Sequence, residues 1–572
     1  MMHGGQALVK IFERAGIDYI FSSPGTEWPP VWEALAQSKE KGIDRPKYIN
    51  CRHEALAVGM AASYAKVTGK TQVVLLHAAV GPLNGAMMLR AAYQERVPMV
   101  VCAGESATFG EDRRLIDPGA QWLHSLSDLG GPADILRRCV KWSERVMSPS
   151  LLVSSLQRAL HIAEEPPAGP VLLGLPFEWM MEEVQLADAI RGDQVVRAQE
   201  LDDQTIQSAL KLLLDAQHPV VLTESVGRDV RAVPRLVELC ELLAIPVMES
   251  QRPAFFNFPR AHPLYLPYDR KELETADLIL IAEAVVPWYP AGNGPGRNAK
   301  VVLIADEFPN SRLPFWGYDV DLALVAPPAL TLEKLIAAAR SSKQFAANQP
   351  AYKERFLRIQ QRREPGEDAL QNEADKHAND KPIDPRWLCR VLDRTIPEEA
   401  IIVEETTVYR TLIQRMIRRT RPMSYIARIT GGLGVGLSYA LGAKLAVGQT
   451  PVFALLGDGA FHYNPVPACL GLSQEYELPI IVVLFNNQRY LSMEQGLLKY
   501  FPAGVARTSG VHFGAPISPI PDYRFFAEVY GGYGTRVASP DEIQPAIEQA
   551  AENAEGGRFA LIDVVLNDYS PR

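Results

Sequence analysis

Two short motifs hold the residues best suited to chemistry. Gly457-Asp458-Gly459 closes an apolar run (PVFALL, Pro451 to Leu456), and Asn486-Asn487 closes another (PIIVVLF, Pro479 to Phe485). Short apolar runs punctuated by glycine and proline read as buried strands of a parallel sheet. Between them, Asn464 to Glu477 has a helical pattern. A strand–helix–strand unit brings the carboxylate and the amide to the carboxyl ends of neighbouring strands, where open α/β sheets bind ligands. Oxygen donors of this kind suit Mg²⁺, which takes few protein ligands and completes its octahedron with water and phosphate. Gly459 lets the backbone approach a diphosphate closely. Taken singly, the first motif is equally an ordinary turn and the second an ordinary strand end. Together they read as a metal–diphosphate anchor.

The chain around these motifs alternates strands and helices, the pattern of a parallel doubly wound sheet. Residues 1–185 form a first α/β segment. It has a helix at Gln6 to Ala15, strands at Tyr19 to Ser22, Tyr48 to Asn50, Gln72 to Leu76 and Pro98 to Ala103, and the loop Ser23-Pro24-Gly25-Thr26. Arg52-His53-Glu54 opens a helix of small residues (ALAVGMAASYAKVTG), a composition that implies burial. A second α/β segment, residues 196–343, has strand candidates at Pro219 to Leu222, Ile245 to Met248, Leu278 to Ala282 and Val301 to Ile304. It lacks a G-x-G-x-x-G between strand and helix, because Gly292-Asn293-Gly294-Pro295-Gly296 is not so placed. Residues 344–385, rich in Gln, Lys, Glu and Asn, read as an exposed linker with some helix. Residues 386–572 carry the anchor.

Length and composition bound the function class. A chain of 572 residues divides into about three or four domains. Its net charge of −9 argues against a general nucleic-acid binder. The six cysteines (Cys51, Cys102, Cys139, Cys240, Cys389, Cys469) contain no C-x-x-C pair, so neither a disulfide framework nor a zinc site is expected, and a reducing compartment fits. The amino terminus is amphipathic and charged, unlike a secretory signal. No apolar run approaches membrane-spanning length. The cytoplasm is the expected location.

The GDG motif, a helix and then NN closing an apolar strand resemble the thiamine diphosphate (ThDP) signature of the 2-oxo-acid decarboxylase and acetolactate synthase superfamily. The interval from Asp458 to Asn487 (487 − 458 = 29) is slightly longer than usual there, and a longer helix or a bulge would absorb it. The resemblance implies three α/β domains: pyrimidine-binding, central and diphosphate-binding. It implies Asp458, Asn487 and the Arg489 carbonyl as metal ligands. Gly459, Ala460, Thr406, Thr407 and Tyr490 would lie along the cofactor, with Gly25 on the loop facing it. Ala460 stands where the family often has a hydroxyl. Glu54 matches the glutamate that shares a proton with the aminopyrimidine, and apolar neighbours would raise its pKa. Taken alone, a glutamate in a first helical turn needs only the macrodipole to explain it. In GGLGVGLSYALGA (Gly431 to Ala443), Leu433 matches the wedge beneath the cofactor and Gly431 the carbonyl that holds its amino group. Helix packing explains several of these glycines by itself.

Within the superfamily the chain resembles benzoylformate decarboxylase-like members. Thr26 takes the place of a substrate-binding serine, and His77 that of a proton-handling histidine, a role suited to neutral imidazole. His77 also reads as a histidine bonded at a strand end. The family's second histidine falls near Pro287 to Pro290, where Tyr289 is the best match and Trp288 a pocket-lining candidate. Gln121 resembles a substrate-side glutamine of the acetolactate synthases. His124 and His462 read as structural.

The activity implied is ThDP- and Mg²⁺-dependent cleavage next to the carbonyl of a 2-oxo acid, with carboligation open. An acetolactate synthase-like or 2-hydroxyacyl-CoA lyase-like carboligase is the alternative. A non-catalytic ThDP-fold protein and a nicotinamide oxidoreductase are the readings from other classes. No FAD is expected, nor any nucleic-acid or membrane partner. The family's site lies between the first domain of one subunit and the third of another, so the resemblance implies a homodimer at least, with a homotetramer common.

Overall fold

A computed structural model describes residues 2–105, 130–186, 200–250, 252–311, 318–429 and 431–567. Three six-stranded, all-parallel sheets follow one another along the chain. The first runs, in spatial order, Lys47–Asn50, Tyr19–Ser23, Gln72–His77, Met99–Glu105, Pro170–Pro176, Trp142–Arg145. The third runs Tyr425–Ala427, Ile401–Glu405, Val452–Gly457, Ile481–Asn486, Ala560–Val565, Tyr533–Val537. These two share one strand order, 2-1-3-4-6-5 in their own chain order. The central sheet differs, with order 3-2-1-4-5-6: Tyr265–Leu266, Val247–Glu249, Pro219–Thr223, Leu278–Ala282, Lys300–Ala305, Leu322–Val325. The expected doubly wound α/β class holds for all three.

Strand sequences explain the burial. Runs such as QVVLLH and VFALLG are buried along almost their whole length, as parallel strands covered on both faces require. Each sheet has its own apolar core, seeded by Phe12 and Trp28 in the first, Phe258 and Ile281 in the central and Tyr425 and Phe453 in the third. The first and third sheets reverse beside their opening strand, and at such a reversal ligands bind beyond the carboxyl ends. The reversal lies between Tyr19–Ser23 and Gln72–His77 in the first sheet, and between Ile401–Glu405 and Val452–Gly457 in the third. Thr26 and His77 stand at the first reversal, Thr406 and Asp458 at the third.

Two compact units result. One comprises Met1–Val196 with Thr430–Gly448 and Tyr463–Leu478; the other comprises Arg197–Ile429, Gln449–His462 and Pro479–Arg572. Inside the first, the helix Glu54–Thr68 packs on the helix Gly436–Val447 with almost no side chain between them. A Cβ on Gly442 would strike the Met60 carbonyl, and Ser63 Oγ donates to the Tyr439 carbonyl at 2.6 Å. Glu95, which caps the helix Ala86–Gln94, bridges the same two helices: its Oε2 lies 2.5 Å from Lys66 Nζ in a fully buried ion pair and also accepts the Tyr439 hydroxyl at 2.7 Å.

Two elements depart from expectation. The stretch expected as a linker is mostly one helix, Lys343–Asp375, capped by Ser342. Its Gln, Lys and Glu are strong helix formers, and its sparse apolar residues are placed to be buried: Tyr352 and Ile359 join the central core, Ala374 the third. The helix expected at Asn464 to Glu477 is shorter, Val466–Glu475, with Pro467 in its first turn. A separate turn of helix, Asp458–Phe461, stands between the GDG strand and that helix. Among the described residues no helix is long and apolar enough to cross a membrane.

Candidate active site

In the third sheet the buried Asp458 follows its strand directly. Its Oδ1 accepts the Gly459 N–H at 2.8 Å and its Oδ2 the Gln488 N–H at 2.6 Å. Gln488 has φ of +64°, a left-handed conformation that few non-glycine residues hold. That turn aims the backbone beyond Asn487 back at the carboxylate. Asn487 is fixed at both ends of its amide: Nδ2 donates to the Tyr409 hydroxyl at 2.9 Å and Oδ1 accepts the Arg489 N–H at 3.1 Å. Burial pushes the Asp458 carboxyl up to about 7, against the pull of the Gly459 and Gln488 amides. Among the described residues an anion so placed has backbone dipoles but no side-chain cation bonded to it, so a hard divalent ion would relieve it. A carboxylate beside an amide oxygen is a donor set for Mg²⁺ completed by water and phosphate. The residues present fit that ion. A Cβ on Gly459 would meet the Tyr490 ring at 2.7 Å, so glycine keeps this backbone open. Ala460 is buried.

Thr406 and Thr407 separate in role. Thr406 is buried and its Oγ1 donates to Glu404 Oε1 at 2.6 Å, while Thr407 is exposed. Glu404 also takes Arg410 Nε at 2.6 Å. A second group with metal-like spacing, His377, Asp380 and Asp384, is explained locally. Asp384 caps the helix Pro385–Thr395 and pairs with Arg386 at 2.7 Å.

In the first sheet, Glu54 opens its helix, with His53 as the cap. It is half-buried, less than its apolar neighbours Leu56 and Ala57 suggested, because it sits on the helix's first turn. Its Oε2 accepts Asn84 Nδ2 at 2.5 Å. His77 ends its strand, and its Nδ1 lies 2.8 Å from the wholly buried Glu27 carboxylate. Against a carboxylate that only accepts, Nδ1 carries the hydrogen and Nε2 is the ring's acceptor nitrogen. A Cβ on Gly25 would overlap both His77 and Glu27, which is why the loop needs glycine there. Thr26 is exposed beside them. Gly431 is exposed and Leu433 half-buried.

The remaining expectations fare differently. Trp288 is buried in the central core, 5.4 Å from the Tyr318 ring, and Tyr289 is exposed. Gln121 and His124 lie outside the described residues. His462 accepts or donates to the Tyr523 hydroxyl at 2.8 Å, and burial lowers its pKa. Glu27, Asn84 and Tyr409 were not singled out by the sequence. Only Glu27 carried a signal, as a carboxylate directly after the Gly-Thr loop.

Residues 2–125 match the N-terminal TPP binding domain of thiamine pyrophosphate enzymes, and residues 406–564 match their C-terminal TPP binding domain. The chain belongs to the thiamine pyrophosphate enzymes. This thiamine pyrophosphate enzyme is 27% identical to a benzoylformate decarboxylase of Pseudomonas aeruginosa, over 99% of each chain. It is 26% identical to the acetolactate synthase isozyme 3 large subunit of Escherichia coli K12, over 99% of this chain and 95% of the other. The fold matches that of the ThDP-dependent 4-hydroxybenzoylformate decarboxylase of Rhodococcus jostii RHA1, with a TM-score of 0.79 over 100% of both chains at 24% identity. The enzyme thus stands among the ThDP-dependent decarboxylases and carboligases.

Proposed function

We propose that this enzyme cleaves the bond between the carbonyl and carboxyl carbons of a 2-oxo acid, using ThDP and Mg²⁺ and releasing CO₂. The observation that carries the proposal is the buried Asp458 carboxylate, bound to the backbone beyond Asn487 at the reversal point of its sheet. Bound ThDP supplies a nucleophilic carbon and an electron sink for the pair left when CO₂ departs. The chain supplies the rest. Asp458, Asn487 and the Arg489 carbonyl hold the metal. The exposed Thr407 hydroxyl and the backbone of Gly459 and Ala460 meet the diphosphate, whereas the Thr406 hydroxyl is already engaged by Glu404. Tyr490, Gly25, Gly431 and Leu433 position the cofactor's rings. Glu54 moves a proton at its Oε1, its Oε2 being held by Asn84. His77 accepts and returns a proton at Nε2, with Glu27 fixing the tautomer. Thr26, Gln121 and Tyr289 are the proposed substrate-side residues, Trp288 being packed into the central core.

Likeness to an acetolactate synthase favours a second reading, in which a second carbonyl rather than a proton captures the product. Product analysis across a panel of 2-oxo acids, with and without an aldehyde acceptor, decides. Aldehyde and CO₂ in equal amounts support decarboxylation, 2-hydroxy ketones support carboligation, and no turnover of any 2-oxo acid refutes both.

The proposed domains are pyrimidine-binding 1–185, central 196–343 and diphosphate-binding 386–572, joined through 344–385. The assembly proposed is a homodimer at least. All six cysteines are free thiols, which suits a reducing compartment, so the cytoplasm is the proposed location.

A further inference from the structure

A cavity of about 280 Å³ lies away from the candidate active site, between the helix Lys343–Asp375, the segment around Tyr265 and the turn after the helix Arg410–Met416. Among the described residues its wall holds Arg260, Arg362, Arg363, Arg415 and Arg418 against Asp269 and Glu272. Glu249 and Asp393, outside the lining, pair with Arg260 and Arg418, so among the described residues five guanidinium groups face four carboxylates and leave a local charge of +1 (5 − 4), in a chain of net charge −9.

The two acids of the wall are already occupied. Asp269 caps the helix Arg270–Thr275 through the Lys271 N–H at 2.9 Å, and Glu272 pairs with Arg362 at 2.8 Å. Arg415 is exposed and has no acidic partner among the described residues. Arg260 is 2% exposed. Its Nε reaches Glu249 at 3.1 Å and its guanidinium stacks 4.4 Å from the Tyr425 ring centre, yet Nη1 and Nη2 are buried without hydrogen-bond acceptors. Buried charged donors left without acceptors are costly, so an acceptor-rich anion is the complement this wall lacks. Guanidinium forks match phosphate oxygens in pairs. Leu266, Pro267 and Leu370 offer an apolar side for the remainder of such a molecule. Arg362 and Glu272 also border a neighbouring cavity of about 340 Å³ that contains Arg355 and Arg358, so the basic lining continues along the helix.

We infer that this arginine-lined cavity binds a small phosphorylated anion. Holoenzyme saturated with ThDP and Mg²⁺, so that the diphosphate site is filled, is titrated calorimetrically with glycerol 3-phosphate and separately with inorganic phosphate. One saturable site per chain is expected. Tighter binding of the ester assigns an organic phosphate, and equal binding of both assigns the free ion. Affinity should fall at least about tenfold in Arg362→Gln/Arg415→Gln, since charge-assisted hydrogen bonds are lost, with ThDP content and melting midpoint unchanged. Arg415→Glu alone, at an exposed position, should weaken binding without threatening the fold. Absence of saturable binding to the wild type, or equal affinity in the variants, overturns the inference. The readout is binding rather than turnover, so it is independent of which substrate the enzyme accepts.

Discussion

Asp458→Asn separates what the fold wants from what the metal wants. The carboxyl is 2% exposed, and burial moves its pKa from 3.8 to about 7. At about 1.36 kcal/mol per pKa unit, that gap sets about 4 kcal/mol against the ionised group in the metal-free protein. The amide avoids this cost but offers one acceptor where the carboxylate offered two. One of the Gly459 and Gln488 N–H groups then loses its partner, at about 1–3 kcal/mol. The first effect is larger, so at pH 8 the metal-free variant should be the more stable by about 1 to 3 kcal/mol. The folded pKa is raised above the unfolded one, so the penalty is present above pH 7 and disappears as pH falls from 7 towards 3.8. Metal-free wild type should therefore gain about 3 kcal/mol relative to the variant between pH 8 and pH 5. Hydrogen exchange of the strand Val452–Gly457 in chelator-treated protein measures this locally. With Mg²⁺ and ThDP added the order should reverse, because only the wild type gains from binding linkage. A metal-free variant less protected than wild type at pH 8, or a difference that ignores pH, refutes the reasoning.

Four further outcomes are expected. Glu54→Gln should retain ThDP yet slow C2–H exchange of the bound cofactor by about 10² to 10⁴-fold, as read by NMR after acid quench. Glu27→Gln can donate to His77 Nδ1 and so impose the other tautomer; turnover should fall between about 10 and 10⁴-fold with ThDP content unchanged, and Glu27→Asp should recover part of it. Gly442→Ala drives a methyl into the Met60 carbonyl and should cost about 1–3 kcal/mol, seen as a lower melting midpoint. Purified active protein should show no flavin absorbance, and stoichiometric flavin would overturn that expectation.

Motif positions were legible because strand ends are. Apolar runs that stop at Gly457 or Asn486 fix where a parallel strand delivers its next residue, whatever the rest of the fold does. What those residues touch was not legible. The Gln488 turn depends on a left-handed backbone at a residue type that rarely adopts it, which no propensity foretells. The pairing of His77 with Glu27 joins positions 50 residues apart across two strands. Trp288 looked like a pocket residue because it stands beside Tyr289, where the resemblance places the family's second histidine, yet it fills the central sheet's interior. The segment after Ser342 looked like linker because its apolar residues are few, and only the packing reveals that those few are enough.

The close packing of Glu54–Thr68 on Gly436–Val447 has a consequence for how the protein is made. Ser63 and Tyr439 are 376 residues apart in the chain. At a synthesis rate of about 5–20 residues per second, the earlier helix waits roughly 20 to 75 s for its partner to leave the ribosome. During that interval its glycine- and alanine-lined face is uncovered, and Lys66 has Glu95 for company but not the Tyr439 hydroxyl. The nascent amino-terminal segment is therefore the stage most exposed to aggregation, and the one at which a chaperone would have the most to protect.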